Sequence, residues 1–236
     1  MCISEYVAAT FGRNEVFPSY AQFAIPDFVS DDISYDVNVS FLVRTTKQTG
    51  LILFLGANTS LDVTNQTFVI IELSPVGVSV RIKLGGETQI NVLPCLVADG
   101  VQHFVYVSRN YSLLQIQCDD KSVVYPINYS LPLVPDLLYV GGKPLKNTRH
   151  RRDTNSSNTD QQFSGTLQDV QLKGIRLQAF PLNTTDDSAP VVPSYEEPIK
   201  LRNVDKGEQS DDVCMTEEPC KNNATCHNTE GYNEYR

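Results

Sequence analysis

The chain has 236 residues, enough for one large domain or two ordinary ones, and long enough to bury a core without leaning on disulfides alone. Acidic residues number 28 and basic residues 19, giving a formal charge of −9. That balance argues against a nucleic-acid partner and against electrostatic attachment to an anionic membrane. The longest apolar runs, Leu51 to Leu55 and Phe68 to Leu73, are strand-sized and far short of the roughly 18 residues a spanning helix needs. The first residues, Met1-Cys2-Ile3-Ser4-Glu5, show no charged region followed by an apolar stretch, so no signal peptide is visible.

From about residue 6 to about 180 the pattern predicts strands. Val37, Val39, Phe41 and Val43 alternate with Asp36, Asn38, Ser40 and Leu42. Val78, Val80, Ile82 and Leu84 alternate with Ser79, Arg81 and Lys83; Leu114, Ile116 and Cys118 alternate with Gln115 and Gln117. Period two means one buried face and one wet face. Turn pairs punctuate the strands at Thr49-Gly50, Ser74-Pro75, Gly85-Gly86, Asp99-Gly100 and Gly141-Gly142. The expected fold is an all-β antiparallel β-sandwich. A polar insertion follows over about residues 143–162, a loop by composition. Residues 183–212, with Pro190, Pro193, Glu196, Glu197 and Pro198, read as an acidic, Pro/Ser-rich extended linker. Residues 213–236 hold Cys214, Cys220 and Cys226 and too few apolar residues for a core, so they must depend on disulfides.

N-glycosylation acceptors, Asn-x-Ser/Thr, occur at Asn38, Asn58, Asn65, Asn110, Asn128, Asn155, Asn183 and Asn223. Asn38 falls on the polar face of its strand, where a glycan needs no burial. With the six cysteines, these acceptors point to a secretory, oxidising compartment, and hence to a piece of a longer extracellular protein.

The order of features is similar to that of a laminin G-like domain. Thr49-Gly50-Leu51-Ile52-Leu53-Phe54 resembles its Gly-Leu-Leu-Leu-Tyr strand. Phe68 to Leu73 followed by Val78 to Leu84 resembles its central hairpin, and Asp99-Gly100-Val101-Gln102-His103 its Asp-Gly-x-x-His turn. Leu138-Tyr139-Val140-Gly141-Gly142 and Phe163-Ser164-Gly165-Thr166-Leu167-Gln168-Asp169-Val170 resemble its last two signature segments. Cys214-x5-Cys220-x5-Cys226 resembles the first half of an EGF-like module; these gaps are too long for the usual zinc-ligand spacing. The resemblance implies a concanavalin-like jelly roll over 6–182, preceded by a remnant of an upstream module over 1–5 and followed by the linker and the truncated module over 213–236. As a whole the chain resembles the Crumbs family of apical polarity proteins, with the eyes-shut family as a close rival.

That resemblance carries further expectations. Laminin G-like domains usually have a cysteine where Thr166 stands, paired with one that would fall at Glu208; both are missing here. Calcium-binding members supply an Asp where this chain has Thr67, a much poorer ligand, so no cofactor is expected and calcium is disfavoured. Cys214–Cys226 would be the internal pair of the EGF-like module, with Cys220 awaiting a further cysteine and Cys2 belonging to the upstream module. Thr225, separated from Cys220 by four residues and just before Cys226, resembles an O-fucose acceptor, and it also completes the acceptor triplet of Asn223.

The residues themselves suggest a Cys95–Cys118 disulfide: Cys118 lies on an apolar strand face and Cys95 follows Pro94 at a strand edge. It would close a loop of about 22 residues, worth roughly 3 kcal/mol in the loop-entropy account. The alternative is two buried thiols packing as small hydrophobes. Arg149-His150-Arg151-Arg152 matches the Arg-x-Arg-Arg signal of furin-like proteases, with cleavage after Arg152, and is equally a solvated basic loop.

No Gly-x-Ser-x-Gly or His-Glu-x-x-His motif appears, and the inward strand positions are Val, Ile, Leu and Phe rather than paired carboxylates. The expectation is therefore no enzyme. The expected role is adhesion or spacing, with extracellular protein or glycan ligands, further copies of the chain among them. Any membrane attachment would come through a segment outside these residues. The alternative is a secreted matrix protein of eyes-shut or agrin type that binds partner glycans.

Overall fold

Asp36–Arg44 alternates half-buried and buried side chains along its whole length, as its sequence period requires. The same alternation recurs through the chain and builds two sheets that share one core. The computed structural model describes residues 8–13, 17–25, 32–57, 67–128, 131–144, 162–180, 195–207, 226–229 and 232–235. The strands are β1 (Ala9–Phe11), β2 (Tyr20–Phe23), β3 (Asp36–Arg44), β4 (Gly50–Gly56), β5 (Thr67–Ser74), β6 (Gly77–Leu84), β7 (Gln89–Pro94), β8 (Gln102–Asn110) and β9 (Leu113–Cys118). They continue with β10 (Lys121–Pro126), β11 (Leu137–Val140), β12 (Gly165–Leu172), β13 (Ile175–Leu177), β14 (Tyr195–Glu196), β15 (Lys200–Arg202), β16 (Val204–Lys206), β17 (Cys226–Thr229) and β18 (Tyr232–Tyr235). Among the described residues the only helical piece is a 3-10 turn at Asp32–Ser34.

The first sheet runs β10-β9-β8-β3-β12-β1-β16, with β13 and β14 joined beside β12. The second runs β15-β2-β11-β4-β5-β6-β7. Between them lies an apolar layer that includes Phe11, Phe23, Phe41, Leu53, Ile71, Val80, Val105, Ile116, Leu138 and Phe163. Phe41, Val80 and Ile116 are among those that the strand period marks as inward. Gly141 shows how tightly the layers meet: a side chain there would lie 2.0 Å from the Phe11 ring, and its φ of +78° also suits glycine.

The sandwich extends beyond residue 182. Within the span read as a linker, β14 pairs with β13, β15 with β2 and β16 with β1. The Pro and acidic content of 183–212 hid these short edge strands, since two- and three-residue strands leave no period to read. β17 and β18 pair as an antiparallel ribbon within the span read as a truncated module.

Candidate functional site

The Asp-Gly-x-x-His turn folds into a clasp at one end of the first sheet. Gly100 N donates to Thr45 O at 3.0 Å, and Arg44 Nε donates to Gly100 O at 2.8 Å, which fixes the turn before β8. Val101 N donates to Asp99 Oδ1. His103 then stands between two carboxylates: Nε2 lies 2.9 Å from Asp99 Oδ1 and Nδ1 lies 2.7 Å from Asp119 Oδ2. Only an imidazolium can donate from both ring nitrogens at once. Burial works against that charged form, but the hydrogen bonds to Asp119 and then Asp99 outweigh it and hold the His103 pKa above its ordinary value. Burial likewise opposes ionisation of Asp99, and the bonds from His103 and Val101 N overcome it, so its pKa falls. Asp119 sits in the β9–β10 turn with a φ of +50°, where it also accepts Phe104 N. The clasp thus joins three chain segments. His103 ties the turn before β8 to the β9–β10 turn. The role of Asp119 was missed, although its place between Cys118 and Lys121 marks a hairpin turn.

Beside the clasp, Cys95 and Cys118 face each other as thiols joined by a hydrogen bond. Cys118 is buried and Cys95 half-buried. Cys95 follows β7 in the second sheet and Cys118 ends β9 in the first, so the pair bridges the layers. The hydrogen bond from Cys118 is the main cause that brings the Cys95 thiol down to about 7, against the opposing effect of burial. The Cys118 thiol is pushed well up, first by that bond and then by burial.

The acceptor asparagines that lie among the described residues gather at the other end of the first sheet. Asn38 pairs with Ser108 across β3 and β8, and Asn110 pairs with Asp36, so both asparagines face outward on adjacent strands. Asn38 is half-buried and Asn110 exposed. Asn128 is exposed just past β10, where its backbone N meets Gln89 Oε1 at 3.2 Å. The described strands of the second sheet carry no acceptor asparagine. Their outer face instead holds a chain of rings, Tyr20–Tyr139–Phe54–Phe68, with successive centroids 5.7, 6.2 and 6.3 Å apart. Lys200 and Lys143 stand 5.9 and 5.8 Å from the Tyr20 and Phe54 ring centroids. Arg81 and Glu72 pair at 2.9 Å on the same face; burial raises the Glu72 pKa despite that partner.

Two positions at which the resemblance implied a loss are occupied by hydroxyl contacts. Thr67 Oγ1 accepts Val134 N at 3.1 Å, so it anchors the loop before β11. Thr166 Oγ1 lies 3.2 Å from Thr10 Oγ1, and Thr10 Oγ1 donates to Gly207 O at 2.8 Å. Asn58, Asn65, Asn155, Asn183, Asn223, Thr225, Arg152, Cys2, Cys214 and Cys220 lie outside the described residues, and of Cys226 only the backbone, in β17, is described. Among the described residues no His, Cys, Asp and Glu side chains gather in a group that could hold a metal ion.

An antiparallel sandwich with this strand order, an Asp-Gly-x-x-His clasp and a Val-Gly-Gly corner is the arrangement expected of a laminin G domain. That family matches residues 43–175, more than half of the chain, and the chain belongs to it. Laminin G domains are extracellular modules that bind proteins or glycans. Among solved structures, the fold is similar to laminin α2 LG1-3, at a TM-score of 0.62 and 21% identity over 88% of this chain and 36% of that one. It is similar also to mouse laminin α1 LG4-5, at a TM-score of 0.62 and 17% identity over 86% of this chain and 47% of that one. Among curated proteins, the chain is similar to mouse Protein crumbs homolog 1, 26% identical over 230 residues and 96% of this chain. It is 29% identical to human Protein crumbs homolog 2 over 228 residues and 95% of this chain. The chain spans 14% of the length of each of these two relatives. The Crumbs-like resemblance read from the motifs is thereby confirmed.

Proposed function

We propose that this chain is a non-catalytic adhesion and interaction segment of a larger Crumbs-like protein, one that acts at the apical surface and is anchored by a membrane span outside these residues. One observation carries the reading. Similarity to the two Crumbs homologues covers 96% and 95% of the chain, whereas the laminin G match ends at residue 175. The likeness therefore runs on through the acidic segment and the cysteine-spaced tail, which a free-standing laminin G domain would not need. The difference between faces supports an interaction role: the first sheet bears the acceptors at Asn38 and Asn110, and the second carries buried and half-buried rings with lysines beside them.

The test is fractionation of the full-length parent protein from polarised epithelial cells. Recovery in apical membranes that resist alkaline carbonate extraction supports the reading. Recovery in the medium or the matrix overturns it in favour of a secreted, glycan-binding protein.

A further inference from the structure

The pairing of β6 with β7 sets Gly77 opposite Pro94, and Cys95 N donates to Val76 O at 3.3 Å. A side chain at Gly77 would fall 2.5 Å from Cys95 N, so glycine is what lets the Cys95 backbone come in under the β5–β6 turn. On the facing sheet, Cys118 is the last residue of β9 and pairs with both Val105 and Lys121. Its side chain points inward with Leu114 and Ile116, and only 2% of it is exposed. Two elements that never pair through their backbones thus bring one sulfur each to the same point. Cys95 is half-buried, and Cys118 is sealed in the core.

We propose that Cys95 and Cys118 close as a disulfide that staples the two sheets, with Cys95 as the entering thiol and Cys118 as the resolving one. Closure in an oxidising compartment rests on the extracellular reading above; the order of reaction rests on the difference in burial between the two cysteines. The co-reactant is a small disulfide donor of the glutathione type. Cys95 attacks as its thiolate, forming a Cys95–donor bond and expelling one donor thiolate. Cys118 then gives up its proton and attacks the Cys95 sulfur, forming the Cys95–Cys118 bond and expelling the second donor thiol. Two protein thiols and one donor disulfide become one protein disulfide and two donor thiols.

The surroundings favour this direction. The hydrogen bond from Cys118, and to a smaller degree His103 and Lys121, lower the pKa of the Cys95 thiol, so thiolate formation there is easy at neutral pH. Reversal is disfavoured. A reductant can reach only the Cys95 sulfur, and that attack must expel Cys118 as a thiolate within the core and beside Asp119, where the thiolate is poorly stabilised. Once closed, the staple therefore reopens slowly, as suits a structural bond rather than a redox switch.

The experiment uses the purified full chain, reduced under native conditions and then treated with oxidised glutathione, so its result does not depend on where the cell sends the protein. After removal of N-glycans, trypsin cutting at Lys83, Arg109 and Lys121 leaves Cys95 and Cys118 on separate peptides. The expected result is those two peptides joined, released by reductant. Cys118→Ala is expected to accumulate a glutathione adduct on Cys95. Cys95→Ala is expected to leave Cys118 at least 10-fold slower to react than Cys95 is in Cys118→Ala, until denaturant is added. The proposal is overturned by two unreacted thiols in folded protein, by pairing of either residue with Cys2, Cys214, Cys220 or Cys226, or by Cys118 reacting as fast as Cys95. Circular dichroism of each variant separates slow reaction from loss of fold. Linked peptides from the secreted protein, against unlinked ones, then test the compartment separately.

Discussion

Arg109 offers the sharpest test of the structure. It lies on β8 in the inward register of Val105 and Val107, and only 1% of it is exposed. Among the described residues no carboxylate pairs with it. Its guanidinium donates to three backbone carbonyls: Ser34 O at 2.8 Å, Leu131 O at 2.8 Å and Tyr111 O at 3.1 Å. Its Cζ also lies 5.8 Å from the centre of the Tyr35 ring. Burial lowers its pKa, a sign of the cost of holding the charge there. In Arg109→Met the apolar stem is kept and the donors are lost. Ser34 O retains Leu133 N as a donor, so the main loss falls on Tyr111 O and Leu131 O. Bonds from a charged donor contribute about 1.5–3 kcal/mol each, and recovery of the desolvation cost of the charge offsets part of that. The expected net loss is about 3 kcal/mol, which in a domain of this size lowers Tm by roughly 6–12 °C. Urea unfolding with near-UV circular dichroism measures it directly. Arg109→Lys should lie between Met and wild type, because one ammonium cannot serve three divergent carbonyls. If Arg109→Met stays within about 0.5 kcal/mol of wild type, the clamp contributes little and the reasoning fails.

Three further outcomes follow from the site. The raised pKa of His103 makes its clasp fully stabilising below about pH 6.5, the ordinary histidine value, and progressively weaker as pH rises through the folded-state pKa. Asp99, whose pKa is lowered, sets the opposite limit: its contribution is present above about pH 3.9 and is lost as pH falls through the depressed value. The Tm gap between wild type and His103→Gln should therefore narrow from pH 6 to pH 9; a gap that widens would contradict the clasp. Because Thr67 spends its hydroxyl on Val134 N, addition of calcium or EDTA should move Tm by less than about 1 °C, read by scanning fluorimetry. Cleavage after Arg152 would separate β11 from β12, which belong to different sheets of one sandwich. Secreted protein should then run as two bands on a reducing gel but elute as one species under native conditions. A single intact band would sink the cleavage reading.

Strand alternation made most of the sandwich legible, because each of its long strands has one face in the core. Val37 to Val43 and Val78 to Leu84 show their inward residues in the order the structure confirms. What stayed hidden was whatever breaks that period or acts across a long sequence gap. Arg109 occupies an inward slot in a run of valines, a visible anomaly whose meaning depends on carbonyls 75 and 22 residues away. Asp119 joins His103 only once β8 and β9 have paired. β15 and β16 are three residues each, and only the partners β2 and β1 define them as strands. The meeting of Cys95 and Cys118 could be guessed from an apolar face and a strand edge, while the asymmetry between them required burial.

Thr10 shows how the last of those strands is held. Among the described residues β16 lies at the edge of the first sheet, with β1 as its one sheet neighbour. Where the family resemblance puts a disulfide between position 166 and a residue near 208, this chain runs a hydroxyl relay from Thr166 through Thr10 to Gly207 O. Thr10 is 3% and Thr166 4% exposed, so neither hydroxyl can turn to water instead. A covalent bond would hold the edge strand even when its ladder opens; hydrogen bonds hold it only while the ladder is closed. Thr10→Val keeps the shape and removes the relay, leaving the Gly207 carbonyl without that donor, at an expected cost of about 1–3 kcal/mol. The loss should be local before it is global. Amide exchange at Asp205 and Gly207, whose N–H groups face β1, should quicken by at least 10-fold while exchange at Val39 and Val107, in the central strands β3 and β8, follows only the global stability. Equal acceleration at both sites would mean that β16 is not a separately opening edge. No change at either would mean that the relay contributes nothing to holding it.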